Sequence, residues 1–345
     1  CPPCYQFCER AGQVQPARRP ELPRRQSPAM VLIIALAALS CTACTAIRPD
    51  QVYCHRAQQQ GLCVDVGEMR YLDLGPRDGP VVMLVHGIPT SSWIYRDVTA
   101  DLAQRGCRVI VPDLIGFGAS DKPCIADAYR LEMQAMRLFY LMDSLGIESW
   151  TQVCHDLGGF WTWEMIGEQP WRIEKLVVLN TTAYECGFHR ENARGIAMVG
   201  GPLGPKLLKV LRKPCTGPEA MEYSLKKFVG DECIMTAPVV TGYWLPFYEG
   251  TGFPLRVFSQ SLDGHVTQFP RYAESLRRSG IPAMLIWGAL DPVMNYEELI
   301  PQFAADLKVP PERITVLADA SHLVMEDYPF VVSEKVARFV LSDSR

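Results

Sequence analysis

The sequence predicts an α/β protein built on a doubly wound, mostly parallel sheet, with helices inserted after the sixth strand. Two observations carry this prediction. Short runs rich in Val, Ile and Leu recur along the chain with helical stretches between them, and that alternation is the pattern of a parallel sheet covered on both faces. Residues 182–280 break the rhythm, with Gly/Pro punctuation and helical segments but no central strand. An insertion at that point stands over the carboxyl ends of the strands, where open α/β sheets bind ligands.

The elements follow in order. LCVDV (62–66) and MRYLDL (69–74), separated by Gly67, form an antiparallel start. VVMLV (81–85) is continuously apolar, as a strand buried on both faces must be. RVIVP (108–112), WTQVC (150–154), KLVVLN (175–180), AMLIW (283–287) and ITVLA (314–318) repeat the theme. Helices are expected over 127–146 and 158–169, and inside the insertion at MVGGPLGPKLLKVLRKP and PEAMEYSLKKFVG. The organisation that follows is a leader over 1–46, a core in two parts over 47–181 and 281–345, and a helical cap over 182–280.

The totals narrow the class. A chain of 345 residues accommodates one large α/β domain with an insertion. With 48% hydrophobic and 21% charged residues, it can form a core. The net charge of −4 and the lack of a basic run beyond the N-terminal arginines speak against a nucleic-acid partner. Cys1, Cys4 and Cys8 have no second pair and no nearby histidine, so a metal site is not expected. Cys54 and Cys63 are close enough to pair in an exported protein, and are otherwise two free thiols. No phosphate loop is visible, and no cofactor is expected.

The leader bears on location. Residues 1–29 are rich in Pro, Arg and Gln and read as disordered. The apolar run Val31–Leu39 is too short to span a bilayer but fits the apolar region of a signal peptide. Small residues follow it, so Cys41 or Cys44 is a candidate lipid anchor, and export to the periplasm or a membrane surface is the expectation. The competing reading is a cytosolic enzyme whose start is assigned too far upstream.

Three side chains that can carry chemistry sit at strand ends. Asp156 follows the strand 150–154, Asp291 follows 283–287, and His322 follows 314–318. Alone, each reads as a helix cap or a surface residue. Together they give the chain order nucleophile, acid, histidine of α/β-hydrolases. In TQVCHDLGGFW (151–161) an aspartate occupies the position where such proteins mount a serine, and the chain contains no G-x-S-x-G. The loop HGIPTSSWIYR (86–96) follows the strand 81–85. Its placement assigns the backbone N–H groups of Ile88 and Leu157 to an oxyanion hole.

From about residue 60 onward the chain resembles the haloalkane dehalogenase and epoxide hydrolase branch of the α/β-hydrolase fold. HGIPTSSWIYR, PDLIGFGASDKP, HDLGG, WGALDP and ASHLVMEDYP carry the resemblance. It implies that Asp156 is the nucleophile and that Asp291 and His322 activate water. A carboxylate is ionised at neutral pH and attacks without a base, which suits displacement at saturated carbon through an alkyl ester of Asp156.

The leaving group separates two readings. Dehalogenases supply halide donors from a tryptophan after the nucleophile and from an asparagine in the loop after His-Gly, or from a cap tryptophan. Here those first two positions are Leu157 and Ile88, which leaves Trp244 as the cap candidate. Epoxide hydrolases use two cap tyrosines as acids. Of Tyr184, Tyr223, Tyr243, Tyr248 and Tyr272, the pair Tyr184 and Tyr243 fits that role best. Trp93 either lines the pocket or packs beneath it. The expectation is a hydrolase acting on a small apolar molecule with water, haloalkane-dehalogenase-like or epoxide-opening. The alternative from another class is a non-catalytic ligand-binding protein on the same fold.

Overall fold

A computed structural model describes residues 50–192 and 194–342. The leader reading, with Cys41 and Cys44, lies outside the described residues. The strands are β1 (Gln60–Val64), β2 (Gly67–Leu74), β3 (Val81–Val85), β4 (Arg108–Pro112), β5 (Trp150–His155), β6 (Ile173–Leu179), β7 (Ala283–Gly288) and β8 (Ile314–Leu317). They form one sheet in the order β1-β2-β4-β3-β5-β6-β7-β8. β2 pairs antiparallel with β1 and β4, and every other pair is parallel. All eight strands fall where the apolar runs predict them, within two residues at each end. β4 and β5 are buried along their whole length, as central parallel strands should be.

In chain order the helices outside the insertion begin with α1 (Asp50–Ala57), α2 (Arg96–Gln104), α3 (Leu131–Ser144) and α4 (Gly158–Glu168). The expected helix 127–146 is in two pieces. A 3₁₀ turn over Ala126–Tyr129 ends at Arg130, whose ψ of 145° is extended, and α3 starts after it. The insertion contributes α5 (Arg194–Gly200), α6 (Gly204–Leu211), α7 (Gly217–Leu225), α8 (Ala237–Glu249) and α9 (Gly252–Val266). Next come α10 (Phe269–Ser279), α11 (Tyr296–Asp306), the short α12 (Val324–Asp327) and α13 (Pro329–Leu341).

α10 belongs to the layer against the sheet. Its Tyr272 hydroxyl donates to Glu164 of α4 at 2.7 Å, its Arg271 pairs with the same carboxylate, and Phe269 stands edge-on to Phe160. Cys54 and Cys63 are exposed free thiols.

The topology positions the site. β3 lies between β4 and β5; the chain leaves β3 toward β4 on one side and leaves β5 toward β6 on the other, so the strand order reverses between β3 and β5. The loops after β3 and β5 meet in the resulting crevice, the usual ligand position of an open α/β sheet.

Candidate active site

β5 ends at His155, and the next residue turns the chain sharply into α4. Asp156 has φ 50°, a left-handed conformation that a non-glycine residue adopts only when its surroundings hold it there. Its amide donates to the Asn180 carbonyl at 3.1 Å, and its carbonyl accepts the Thr181 hydroxyl and the Gly159 amide. Glycines make room for the turn. A Cβ on Gly158 would lie 2.6 Å from the Val85 carbonyl oxygen, and one on Gly87 would run into the Asp156 carboxylate.

That carboxylate is buried and surrounded by donors. Oδ2 accepts the Ile88 amide at 2.9 Å, and the Leu157 amide lies close enough to favour the charged carboxylate. Oδ1 lies 3.4 Å from His322 Nε2. Burial raises the carboxyl pKa. The His322 hydrogen bond and charge, the His155 ring and the Leu157 amide outweigh it, holding Asp156 below the usual carboxylate range.

His322 Nδ1 lies 2.7 Å from Asp291 Oδ2. Burial lowers the imidazole pKa, but the Asp291 charge and the bonds to both carboxylates reverse this and push it up to about 10. The two carboxylates therefore favour the protonated ring between them. Asp291 is fixed by the amides of Val293 and Met294 on Oδ1, at 2.8 and 3.0 Å, and by Asn180 Nδ2 on Oδ2, at 2.7 Å. His155 backs the site, its Nε2 2.9 Å from the His322 carbonyl oxygen. A carbonyl only accepts, so the His155 proton sits on Nε2, leaving Nδ1 a bare acceptor with no partner. Burial and the His322 charge bring its pKa down to about 4, so the ring is neutral.

The structure thus brings Asp156, Asp291, His322, Ile88 and Leu157 together. It gives each of the candidate leaving-group donors another partner. Tyr184 donates its hydroxyl to Asp306 at 3.1 Å and packs against Phe303. The Tyr243 hydroxyl donates to Glu326. Trp244 Nε1 donates to the Leu211 carbonyl at 2.7 Å, and Trp93 Nε1 to the Val239 carbonyl at 3.1 Å. Tyr223 and Tyr248 are exposed. Trp161 keeps a buried indole N–H without a partner, packed among His86, Phe117 and Phe258.

Sequence reasoning missed Asn180, whose only local signal is its place at the end of β6. It also missed Glu326, which receives both guanidinium nitrogens of Arg96 as well as Tyr243. Among the described residues no group of three metal-ligating side chains occurs.

Comparison with known proteins agrees with this architecture. The sequence profile of the alpha/beta hydrolase fold family matches residues 80–199. The chain is 29% identical over 276 residues to a haloalkane dehalogenase of Mycolicibacterium paratuberculosis, covering 78% of this chain and 86% of that one. It is 26% identical over 291 residues to epoxide hydrolase 3 of Xenopus tropicalis, covering 79% and 74%. It is 28% identical over 293 residues to a cis-3-alkyl-4-alkyloxetan-2-one decarboxylase of Xanthomonas campestris, covering 79% and 92%. The crystal structure of haloalkane dehalogenase DbeA from Bradyrhizobium elkani superposes with a TM-score of 0.61 at 24% identity, covering 82% of this chain and 97% of that one. The chain has the α/β-hydrolase fold and is similar to haloalkane dehalogenases and to an epoxide hydrolase.

Proposed function

We propose that this protein is a haloalkane-dehalogenase-like hydrolase that works through an ester on Asp156. The observation that carries the reading is the setting of one carboxylate. One oxygen of Asp156 is held by the Ile88 amide, and the other faces His322, which is held in turn by Asp291.

In the first step an Asp156 oxygen attacks a saturated carbon. A C–O bond forms, the carbon–halogen bond breaks, and halide leaves with the electron pair. The ester carries no charge, so His322 loses one of the two anions that keep it protonated. Its pKa falls and its proton passes to solvent. Neutral Nε2 then takes a proton from water, and the water oxygen adds to the Asp156 carboxyl carbon. The amides of Ile88 and Leu157 stabilise the resulting oxyanion, each donor contributing about 3–4 kcal/mol in comparable sites. Collapse releases the alcohol and restores the carboxylate. Asp291 keeps the imidazole oriented throughout.

The donor geometry favours a leaving group that is already a stable anion. Tyr184, Tyr243, Trp93 and Trp244 have other partners, and an alkoxide leaving from an epoxide needs an acid. Bromide or iodide needs none. The same observation favours a second reading, a strained lactone whose ring opens to a carboxylate, and one relative carries an oxetanone decarboxylase name.

The test is trapping. His322→Gln leaves Asp156 free to attack but removes the base for ester hydrolysis. The variant is incubated separately with a bromoalkane, an aryl epoxide and an alkyl β-lactone, and its intact mass is read. An adduct equal to the alkyl group alone, localised to Asp156, is expected. A whole-epoxide adduct would make this an epoxide hydrolase instead, and a whole-lactone adduct would support the second reading. No adduct from any of them would favour the non-catalytic ligand-binding alternative.

A further inference from the structure

The outer face of the insertion has a charge character unlike the rest of the chain. The protein carries a net charge of −4, yet residues 192–218 contain no acidic residue. α6 places Lys206 and Lys209 on its exposed side, and Arg212 and Lys213 follow its end, also exposed. None of the four has an acidic partner among the described residues. The apolar side of α6 is already in use, since Leu207, Leu208 and Leu211 pack inward against the core.

Two large apolar side chains flank the basic row. Leu203, which caps the start of α6, is 52% exposed, and Tyr248 is 49% exposed. Tyr248 is tied to the far end of α6, because its ring packs on Trp244, whose indole N–H donates to the Leu211 carbonyl. Lysines interleaved with an aliphatic tip and a tyrosine make a surface suited to a lipid headgroup layer.

The start of the described chain lies on the same side. Arg56 of α1 makes a paired salt bridge to Glu249, the neighbour of Tyr248, at 2.6 and 2.8 Å.

We propose that the α6 face docks the protein on an anionic bilayer surface. Attachment is by adsorption: no described helix is long and apolar enough to cross a membrane. Unpaired lysines near an anionic surface contribute additively and are screened by salt. Adsorption would bring the insertion to the phase in which apolar substrates concentrate, and the proposal holds whichever bond the site cleaves.

The experiment is flotation of the full chain with phosphatidylcholine vesicles, with and without phosphatidylglycerol, across a salt series. Binding is expected to require phosphatidylglycerol and to weaken as salt rises. Converting Lys206, Lys209, Arg212 and Lys213 to Gln should lower partitioning about 10²- to 10³-fold, with the thermal melt unchanged. A Leu203→Ser/Tyr248→Ser variant should bind more weakly but keep the salt dependence. Equal binding of the unaltered protein to both vesicle types would overturn the proposal, whether or not the quadruple variant folds. So would a folded quadruple variant that floats like the unaltered protein, or salt-sensitive binding to a DNA duplex with no flotation.

Discussion

Asn180 holds Asp291 from the neighbouring strand. Its Nδ2 donates to Asp291 Oδ2 at 2.7 Å, on the same oxygen that faces His322, and its Oδ1 accepts the Gly288 amide at 3.0 Å. Its own carbonyl receives the Asp156 amide. One residue at the end of β6 therefore joins the Asp156 turn, through its main-chain carbonyl, to the Asp291 loop, through its side chain.

Replacing Asn180 with Leu should loosen the Asp291 end of the site, since the main-chain carbonyl that accepts the Asp156 amide is kept. It leaves the Gly288 amide without an acceptor, and a buried group left unsatisfied costs about 1–3 kcal/mol. We expect a lower melting temperature together with at least a tenfold fall in kcat, measured by calorimetry and by turnover of any substrate the trapping experiment identifies. Unchanged turnover in a destabilised variant would limit Asn180 to a structural role.

Gly87→Ala should separate folding from activity. The added methyl would run into the Asp156 carboxylate, whose Cβ would be 2.5 Å away. Only the Asp156 side chain or the loop after β3 can yield. The expected product is a folded protein with turnover reduced about 100-fold or more and no Asp156 adduct when combined with His322→Gln.

The charge balance at His322 has a measurable sign. Its pKa is raised because Asp291 and Asp156 flank it, so Asp156→Asn must lower it. NMR titration of the ring should find His322 protonated until about pH 10 in the unaltered protein, and titrating at lower pH in the variant. Stability follows the same sign. A raised folded-state pKa contributes stability that is full below the unfolded value, near 6.5, and is lost as pH climbs through the folded one. The melting temperature should therefore decline over that window, and less steeply for Asp156→Asn.

Glu326 and Arg96 form a paired contact between α12 and α2, with Tyr243 of α8 closing over it. Glu326→Ala would leave the largely buried guanidinium without its anion. We expect a loss of about 3 kcal/mol, the lower end for breaking a buried pair, because part of Arg96 reaches solvent. Tyr243→Phe removes one donor and should cost about 1 kcal/mol. Chemical denaturation of the two variants gives the comparison, and equal losses would show that the tyrosine, not the ion pair, carries the contact.

The sheet and the meeting of Asp156, Asp291 and His322 were legible because both leave local marks. Each strand is a compact apolar run, and each of the three residues follows one of those runs directly. The partners of the candidate donors were hidden for the opposite reason. A tyrosine in an insertion carries no mark of what its hydroxyl meets. Tyr243 is satisfied by a carboxylate 83 positions later, and Tyr184 by one 122 positions later. The contact of α10 with α4 was hidden likewise, because α10 reads as one more helix until Tyr272 and Arg271 are seen on Glu164.

β6 and β7 are direct neighbours, with Leu176 opposite Ala283 and Leu179 opposite Ile286, although roughly a hundred residues separate them in the chain. The ends of that detour are pinned by the sheet itself. Lengthening such a loop adds little entropic penalty, about 0.6 kcal/mol for each doubling. Selection can therefore rewrite what the molecule admits, and where it settles in a cell, while the sheet that aims Asp156 stays the same. A lineage built this way changes its diet more readily than its chemistry.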